Sequence, residues 1–359
     1  MNYIERYKEL RPTLDTLGTR LQTLLRDIAR SVNIDIHTIE SRSKTVESFS
    51  EKISRPGKSY NNPLEDITDL CGLRVILYYQ EDVERLSKAI RNEFTVDDKK
   101  STDKRSELKN DQFGYISVHL ICRVSEKRID LLEWQSYANF NFEIQIRTVL
   151  QHAWASISHA LQYKSSADIP SQFSRQLSRL SGLLELSDEQ FSDLRKKTAN
   201  LHSKVSKELA NSNLDVAINS VALQQYLESS EVFSKLSRTV SMAGFKNYSS
   251  SEIHQISEIC AGFRISTLDD LNELLLEFSK NAKNFFKNLA ANVTSDGTEL
   301  RRVTGGNSHW CSVMVVAMLH DRQEYGFILE NEIWGQNYLE DVLAAARQTL
   351  AAKPAPHHN

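Results

Sequence analysis

The chain has 359 residues, of which 40% are hydrophobic and 25% charged, and its formal net charge is −3. This composition supports a packed core, and it excludes both a disordered chain and a surface basic enough to coat nucleic acid. The four cysteines lie far apart and form no CxxC pair. Their spacing argues against a zinc ribbon or a disulfide framework and predicts a cytoplasmic protein. A charged N-terminus and the lack of a long apolar run predict no signal peptide and no membrane span.

The first half of the chain alternates helical and extended patterns. Leucines at three- and four-residue spacing between Leu10 and Ile28 predict an amphipathic helix, with Pro12 near its start. The segments that follow are predicted in the order extended, short helix, buried strand, helix, polar loop, two strands and helix: IDIHTIESR, TVESFSEKI, DLCGLRVILYY, EDVERLSKAIRNEF, DDKKSTDKRSELKNDQ, GYISVHLICRV with NFEIQIRT, and 149–163. This order predicts an α/β (α+β) fold, in which a mixed sheet is flanked by helices.

The second half reads as mainly helical. SSADIPSQFS is predicted as a linker or loop, and residues 173–209 as a long helix. Several helices are predicted between residues 213 and 290, followed by a loop, TSDGTELRRVTGGNSHW, and a closing helix, NYLEDVLAAARQTLAA. HWCSVMVVAMLH fits a strand or a buried helix equally well. We therefore predict two domains, an α/β domain over 1–200 and a mainly helical domain over 201–359.

Cations gather in the segment SRSKTVESFSEKISR. Arg42, Lys44, Lys52 and Arg55 lie within fourteen residues, and Ser48 shares a helix face with Lys52. Such a set can surround a polyphosphate. The alternative is an ordinary solvated helix.

Charged residues also border a buried strand in DLCGLRV. Asp69 comes just before the strand, where a carboxylate can hold a magnesium ion at the edge of a sheet. Arg74 lies inside the strand, and a buried cation needs an anionic partner. The partner is either a ligand or a structural carboxylate.

Polar side chains line one face of a third strand. Glu143, Gln145 and Arg147 alternate with isoleucines, so all three point to the same side. His152 and His159 follow on nearly one helix face, but a third metal ligand is missing, so zinc is not predicted.

Four motifs in order resemble the RelA/SpoT synthetase domain: RxKxxxSxxxK at 42–52, DxxGxR at 69–74, GYxSxH at 114–119 and ExQxRTxxxxxWAxxxHxLxYK at 143–164. The resemblance covers roughly residues 15–200 and includes no hydrolase half. It implies a nucleotidyltransferase-like mixed sheet. It also implies transfer of pyrophosphate from ATP to a 3′-hydroxyl, usually of GTP or GDP, which yields AMP and an alarmone.

The resemblance implies a role for each matching residue. Asp69 and Glu143 would be catalytic and hold Mg²⁺, and Glu143 would also take the proton from the attacking hydroxyl. Donor contacts would come from six residues: Arg42, Lys44, Ser48, Lys52 and Arg55 at the ATP phosphates, and Arg74 near the adenine. The acceptor site would be lined by Gly114, Tyr115, His119, Gln145 and His152. Tyr115 would stack on a purine, and Gly114 would allow its close approach.

One departure from the family pattern concerns the acceptor. Small alarmone synthetases usually carry a lysine three residues before the glycine of GYxSxH, where this chain has Asp111. Lys104 and Lys109 in the same loop offer cations from other positions. Some relatives are toxins that pyrophosphorylate the 3′ end of tRNA, so tRNA stays open as the alternative acceptor. A third interpretation is a degenerate module that only senses nucleotides.

Residues from 201 onward match no motif. Three interpretations stay open: a helical scaffold for homo-oligomers, a sensor that keeps the enzyme inactive until a protein trigger binds, as in fused toxin–antitoxins of phage defence, and a tRNA-binding platform. The mixed charge of the region weighs against the last.

Overall fold

The structure is a computed structural model that describes residues 2–103, 117–163, 171–248, 253–294, 304–321 and 325–350. The chain divides into two compact units, Met1–Lys196 and Lys197–Asn359. Across these described ranges, no helix is long and apolar enough to cross a membrane.

The first unit contains a mixed sheet and its flanking helices. Its helices are α1 (Tyr3–Ser31), α2 (Val46–Ile53), α3 (Pro63–Asp66), α4 (Gln80–Glu93), α5 (Glu126–Ile129), α6 (Val149–Tyr163) and α7 (Ser171–Ala210), which contains the boundary between the units, and a 3₁₀ turn spans Gln135–Tyr137. Its strands are β1 (Ile36–Ser43), β2 (Cys71–Leu77), β3 (Phe94–Val96), β4 (Thr102–Asp103), β5 (Val118–Val124) and β6 (Phe142–Thr148).

The strand order is β1-β2-β6-β5-β3, and β4 pairs with β5. β2 and β6 are parallel, and every other described pair in this sheet is antiparallel. The predicted fold class, a mixed sheet flanked by helices with a mainly helical region after it, is confirmed. Strands β3 and β4 were not predicted, because strands of two and three residues are too short to show a period of two.

The two faces of the sheet differ in polarity. On β2, Leu73, Val75 and Leu77 are buried in the core of the unit, which α1 and α4 complete. Gly72 and Arg74 alternate with them and therefore point to the opposite face. The sheet thus keeps one face for packing and offers the other to polar groups.

Pro12 lies ten residues inside α1, so the prediction that it stands near the start of the helix is wrong. The helix begins earlier, at Tyr3, where the Asn2 side chain accepts hydrogen bonds from two backbone amides. Proline costs one helical hydrogen bond. The buried apolar face between Leu14 and Ile28 packs into the core and offsets that cost.

The second unit is mainly helical. Its elements are α8 (Ser220–Ser229), α9 (Glu231–Met242), β7 (Lys246–Tyr248), α10 (His254–Gly262), α11 (Leu268–Ser279), α12 (Ala282–Thr294), β8 (Thr304–Gly306), α13 (Asn307–Met318), α14 (Gly326–Glu330) and α15 (Gln336–Thr349). The undecided segment HWCSVMVVAMLH forms most of α13, a helix buried from Trp310 to Ala317. A helix that is apolar on all sides belongs in the interior of its domain.

Two predicted loops end sooner than expected. Ser171 already begins α7, so the last residues of SSADIPSQFS are helical. The segment TSDGTELRRVTGGNSHW similarly closes with β8 and the start of α13. Both corrections concern the first residues of an element, where boundaries are hardest to place from sequence.

Asp188 makes a buried polar contact between α7 and the end of β6, because its Oδ2 accepts a hydrogen bond from Thr148 Oγ1 at 2.7 Å. Burial raises the pKa of Asp188 to about 6. Its folded pKa lies above the unfolded value, so this group costs stability as the pH rises through about 4 to 6. At about pH 7.5 we expect Asp188→Asn to raise the unfolding free energy by up to roughly 3 kcal/mol.

The gain in stability should disappear near pH 4, where the wild-type carboxyl is already neutral. Thermal denaturation of both proteins across this pH range measures it. A difference of the same size at every pH would contradict the assignment of the effect to the Asp188 charge.

Candidate active site

The register of the sheet brings the predicted motifs side by side. Gly72 of β2 pairs with Arg42 of β1 on one side and with Glu143 of β6 on the other. Two residues further along, Arg74 pairs with Gln145. Residues about 100 positions apart in sequence therefore become neighbours on one polar face.

These side chains border a cleft of about 490 Å³. Its walls come from β1, the start of α2, β2 and β6, and its lining residues include Glu40, Arg42, Lys44, Ser48, Asp69, Gly72, Arg74, Glu143 and Gln145. Carboxylates and cations share this surface, which is the charge pattern that phosphate and metal chemistry requires.

Asp69 is bound by two lysines at the edge of the cleft. Lys44 Nζ lies 2.9 Å from Asp69 Oδ2, and Lys52 Nζ lies 2.8 Å from Asp69 Oδ1. Partial burial raises the pKa of Asp69, but the hydrogen bonds and charges of the two lysines outweigh it, so the pKa ends below its usual value. Asp69 is therefore an anion at neutral pH.

Glu143 contacts His119, and the other ring nitrogen of His119 contacts Ser117. His119 Nδ1 lies 2.7 Å from Glu143 Oε1, and His119 Nε2 lies 2.7 Å from Ser117 Oγ. We assign the Nδ1 proton to the bond with Glu143, because a carboxylate accepts and does not donate. Burial raises the pKa of Glu143, and the hydrogen bond from His119 leads the effects that lower it below its usual value.

Gln145 connects Glu143 to a buried arginine. The Arg147 guanidinium donates to Gln145 Oε1, and a hydrogen bond from Gln145 also lowers the pKa of Glu143. Arginine has no acceptor, so it fixes which end of the amide is oxygen. The amide nitrogen then faces Glu143, and the order Arg147, Gln145, Glu143 forms one chain of donors along β6.

Arg74 and His152 meet near the end of the same face. Arg74 forms an ion pair of 3.3 Å with Glu40 of β1. Burial lowers the pKa of His152, and the positive charges of Arg74 and Arg147 lower it further. His152 of α6 is therefore a neutral imidazole at physiological pH.

The predicted site residues divide into three groups. Those that the structure brings to the cleft or its hydrogen-bonded neighbours are Arg42, Lys44, Ser48, Lys52, Asp69, Arg74, His119, Glu143 and Gln145, and His152 lies near enough for the charge of Arg74 to act on it. Arg55 is exposed beyond the C-terminal end of α2, apart from the residues described as lining the cleft. Four lie outside the described residues: Lys104, Lys109, Gly114 and Tyr115.

Two contributors to the polar face were missed from sequence, and a third, Arg147, was placed on that face without a role. Ser117 and Arg147 support Glu143 from opposite sides, and Glu40 neutralises Arg74. The alternation of Glu143, Gln145 and Arg147 carried a signal for the arginine. The others depend on pairing between strands, which a single sequence does not display.

Comparison with known proteins finds the same domain. A family model described as the region found in RelA / SpoT proteins matches residues 41–168. The chain is 31% identical over 162 residues to the GTP pyrophosphokinase YjbM of Bacillus subtilis (strain 168), which is 45% of this chain and 72% of that protein. The GTP pyrophosphokinase YwaC of the same organism is 27% identical over 187 residues, which is 51% of this chain and 85% of YwaC.

A solved structure, the small alarmone synthetase 1 of Bacillus subtilis bound to its product pppGpp, is also similar. It is 28% identical, with a TM-score of 0.44, and the match covers 54% of this chain and 98% of that one.

The mixed sheet and its cleft of paired carboxylates and cations define an enzyme of the pyrophosphotransferase class. The chain belongs to the RelA/SpoT family and is a pyrophosphokinase of the alarmone synthetase kind. The family and the enzyme class predicted from the four motifs are therefore confirmed.

Proposed function

We propose that this enzyme transfers pyrophosphate from ATP to the 3′-hydroxyl of a guanosine nucleotide, GTP or GDP, and makes a (p)ppGpp-type alarmone. The observation that carries the proposal is the pair of carboxylates in one cleft, Asp69 with its two lysines and Glu143 with His119. The names of the relatives YjbM and YwaC support GTP as a substrate of the family.

The carboxylates fit a magnesium ion. Asp69 and Glu143 line the same cleft, and the charge of Asp69 contributes to raising the pKa of Glu143, so the two anions act on each other. In kinase sites Mg²⁺ takes one or two carboxylates and completes its shell with phosphates and water. The described residues contain no group of three or more potential metal-ligating side chains, which agrees with that mode. A bound Mg²⁺ would neutralise charge on the ATP phosphates.

The cations of β1 and α2 form the donor site in this proposal. Arg42, Lys44 and Ser48 line the cleft, and Lys52 reaches it through Asp69. Before ATP binds, the two lysines neutralise Asp69. Phosphate oxygens can then share the two lysines with Asp69, so each lysine has an anionic partner before and after a polyphosphate binds.

Reaction at this site makes one bond and breaks one bond. The acceptor 3′-oxygen bonds to the β-phosphorus of ATP, the bond from that phosphorus to the oxygen bridging to the α-phosphate breaks, and AMP leaves. The hydroxyl proton passes to the Glu143 carboxylate, whose lowered pKa keeps it ionised and ready to accept. His119 and Gln145 hold that carboxylate in place.

The acceptor site is proposed on the side of His119, Gln145 and neutral His152. Tyr115 would stack on the acceptor purine beside Gly114, and Lys104 and Lys109 would meet its phosphates. The tRNA 3′ end stays the second candidate acceptor, because Asp111 stands where relatives carry a lysine. Residues 201–359 are proposed to regulate or assemble the enzyme, with a protein trigger as one form of that regulation.

Acceptor identity is tested with ATP labelled on the γ-phosphate. GDP, GTP, ATP and total tRNA are offered separately with Mg²⁺, and Glu143→Gln is the blank. We expect label on GDP or GTP. Label on tRNA alone would replace the leading proposal with the toxin, and binding without label transfer would leave only a nucleotide-sensing module.

Arg42 and Arg55 allow a matched test of the donor site. We expect Arg42→Ala to raise the KM for ATP by about 10- to 100-fold, because a charge-assisted hydrogen bond is worth about 1.5–3 kcal/mol. Arg55→Ala removes the same group from a position outside the described cleft lining and should change the KM for ATP less than about threefold. Steady-state kinetics at saturating acceptor measure both. Equal losses would show that Arg55 reaches the phosphates as Arg42 does.

A further inference from the structure

A pair of aromatic rings lies further along β1 and β2 than the residues described as lining the cleft. His37 belongs to β1 and Tyr78 directly follows β2, and their ring centroids are 5.4 Å apart with an interplanar angle of 62°. We call these two residues the ring pair. Both side chains are exposed, Tyr78 to 48%. The ring pair therefore presents a planar aromatic surface to solvent.

A β-bulge places His37 in the ring pair. Between Ile36 and Thr38 the register of β1 against β2 shifts, so that His37 is an extra residue of β1. Strict alternation with the core residue Ile39 would have turned His37 toward the core. The bulge instead leaves His37 exposed beside Tyr78. Bulges re-aim side chains in this way, and they are frequent next to active sites.

Strand order places the ring pair on the donor side of the sheet. The order is β1-β2-β6-β5. The residues proposed to hold the ATP phosphates are carried by β1 and α2, and Arg74 is carried by β2. His119 and Gln145, on the proposed acceptor side, are carried by β5 and β6. The ring pair extends β1 and β2, so it belongs with the donor residues.

The distance along the strands fits a nucleotide between the phosphate site and the ring pair. Gly72, which pairs with Arg42, comes six residues before Tyr78, about 20 Å along a strand. Arg74 lies between them, where Glu40 holds its guanidinium, and a planar guanidinium stacks on ring systems. An extended nucleoside triphosphate with its phosphates at Arg42 would therefore carry its base past Arg74 toward the ring pair.

Charge effects agree that the ring pair and Arg74 are neighbours. Burial is the largest effect that lowers the pKa of His152, and the positive charge of Arg74 is the next. His37 acts on the same imidazole. His37 and Arg74 therefore lie within electrostatic range of one side chain at this end of the polar face.

We propose that His37 and Tyr78 bind the adenine of the donor nucleotide, and that Arg74 lies between this base and the phosphates. The inference rests on the proposed function, in which ATP is the donor and its phosphates lie at Arg42 and Lys44. Every base has a π-face, so aromatic stacking contributes affinity for a base with little selectivity among bases.

Calorimetric titration of the full-length chain tests the proposal with two ligands at the same Mg²⁺ concentration. α,β-Methylene-ATP carries the base but has an α–β bridge that cannot break, and inorganic tripolyphosphate has no base. We expect Tyr78→Ala to weaken α,β-methylene-ATP about 5- to 100-fold and to change tripolyphosphate less than about twofold, because stacking acts on the base alone. Tyr78→Phe keeps the ring and should bind both ligands as the wild type does. His37→Ala should weaken α,β-methylene-ATP by a smaller factor.

Phe191→Ala is the control, because it removes a ring that is 53% exposed on α7. It should bind both ligands as the wild type does. Because Tyr78 is exposed, Tyr78→Ala should also keep the wild-type thermal midpoint. Unchanged binding of α,β-methylene-ATP to Tyr78→Ala, or equal weakening of both ligands, would overturn the proposal.

A titration with GDP separates the donor from the acceptor. We expect Tyr78→Ala to bind GDP as the wild type does. If GDP binding weakened while α,β-methylene-ATP binding did not, the assignment of the ring pair to the donor would be wrong. None of these titrations involves turnover, so a failure of this inference stays distinct from a failure of the proposed transfer to GTP or GDP.

Discussion

Replacing Glu143 by glutamine is expected to lower kcat by about 100- to 10,000-fold, the range of general-base contributions. Glutamine has nearly the same shape but can neither accept the proton of the 3′-hydroxyl nor bind a metal ion as an anion. His119 Nδ1 can still donate to the amide oxygen, so the local structure should persist. The KM for ATP should change much less than kcat, because the donor cations stay in place. Steady-state assays measure kcat and the KM for ATP, and thermal denaturation shows whether the fold persists.

Glu65→Gln is the matched control for Glu143→Gln. It makes the same chemical change at an exposed position on α3 and should leave kcat unaltered. The lowered pKa of Glu143 also predicts that the free enzyme loses activity on the acid side only as the pH falls below the usual glutamate range. Near-wild-type turnover in Glu143→Gln would remove Glu143 from the reaction.

Replacing Asp69 by asparagine is expected to lower kcat/KM by about 100-fold or more, as losing a preorganised charge does in other active sites. The carboxylate that Lys44 and Lys52 share becomes neutral, and two partly buried lysines lose their common partner. A proposed ligand of Mg²⁺ is lost at the same time. We therefore expect the Mg²⁺ concentration for half-maximal activity to rise along with the loss of rate.

Measuring stability distinguishes the role of Asp69 as the partner of two lysines from its proposed role as a ligand of Mg²⁺. Because its pKa is lowered in the folded enzyme, Asp69 stabilises the protein above its unfolded pKa, and this contribution is lost as the pH falls through the folded pKa. Asp69→Asn should therefore lower the thermal midpoint at neutral pH. Asp27→Asn, on the exposed side of α1, is the control. If activity returned fully when Mg²⁺ alone was raised, Asp69 would act only through the metal ion.

The sequence predicted which polar residues lie close together better than it predicted their partners. Motif order and alternation grouped Asp69, Glu143 and Gln145, and the structure places all three in the lining of one cleft. The partners of these residues follow from strand register. The position of Arg74 within an apolar strand indicated an anionic partner, but only the pairing of β1 with β2 supplies Glu40 as that anion. Ser117 likewise becomes part of the site only because His119 turns one ring nitrogen to it and the other to Glu143.

The long helix shows the same limit in the fold. Its leucine spacing correctly predicted a helix from Phe173 to about Leu209, which the structure extends to Ser171–Ala210. Periodicity gives the angle between apolar residues, but it does not say which face meets the domain. Here the ion pair of Arg195 with Asp82 and the Thr148–Asp188 hydrogen bond turn the polar face inward.

By itself the sequence determined the class of fold, the helical second half, and the family and enzyme class, because those depend on local periodicity and on residue types in order. Tertiary structure decided which charges neutralise one another and which helix face stays exposed. Those outcomes depend on contacts between residues far apart in the chain, such as Lys52 with Asp69 and His119 with Glu143. Their energies come from burial and geometry, which exist only once the sheet has formed.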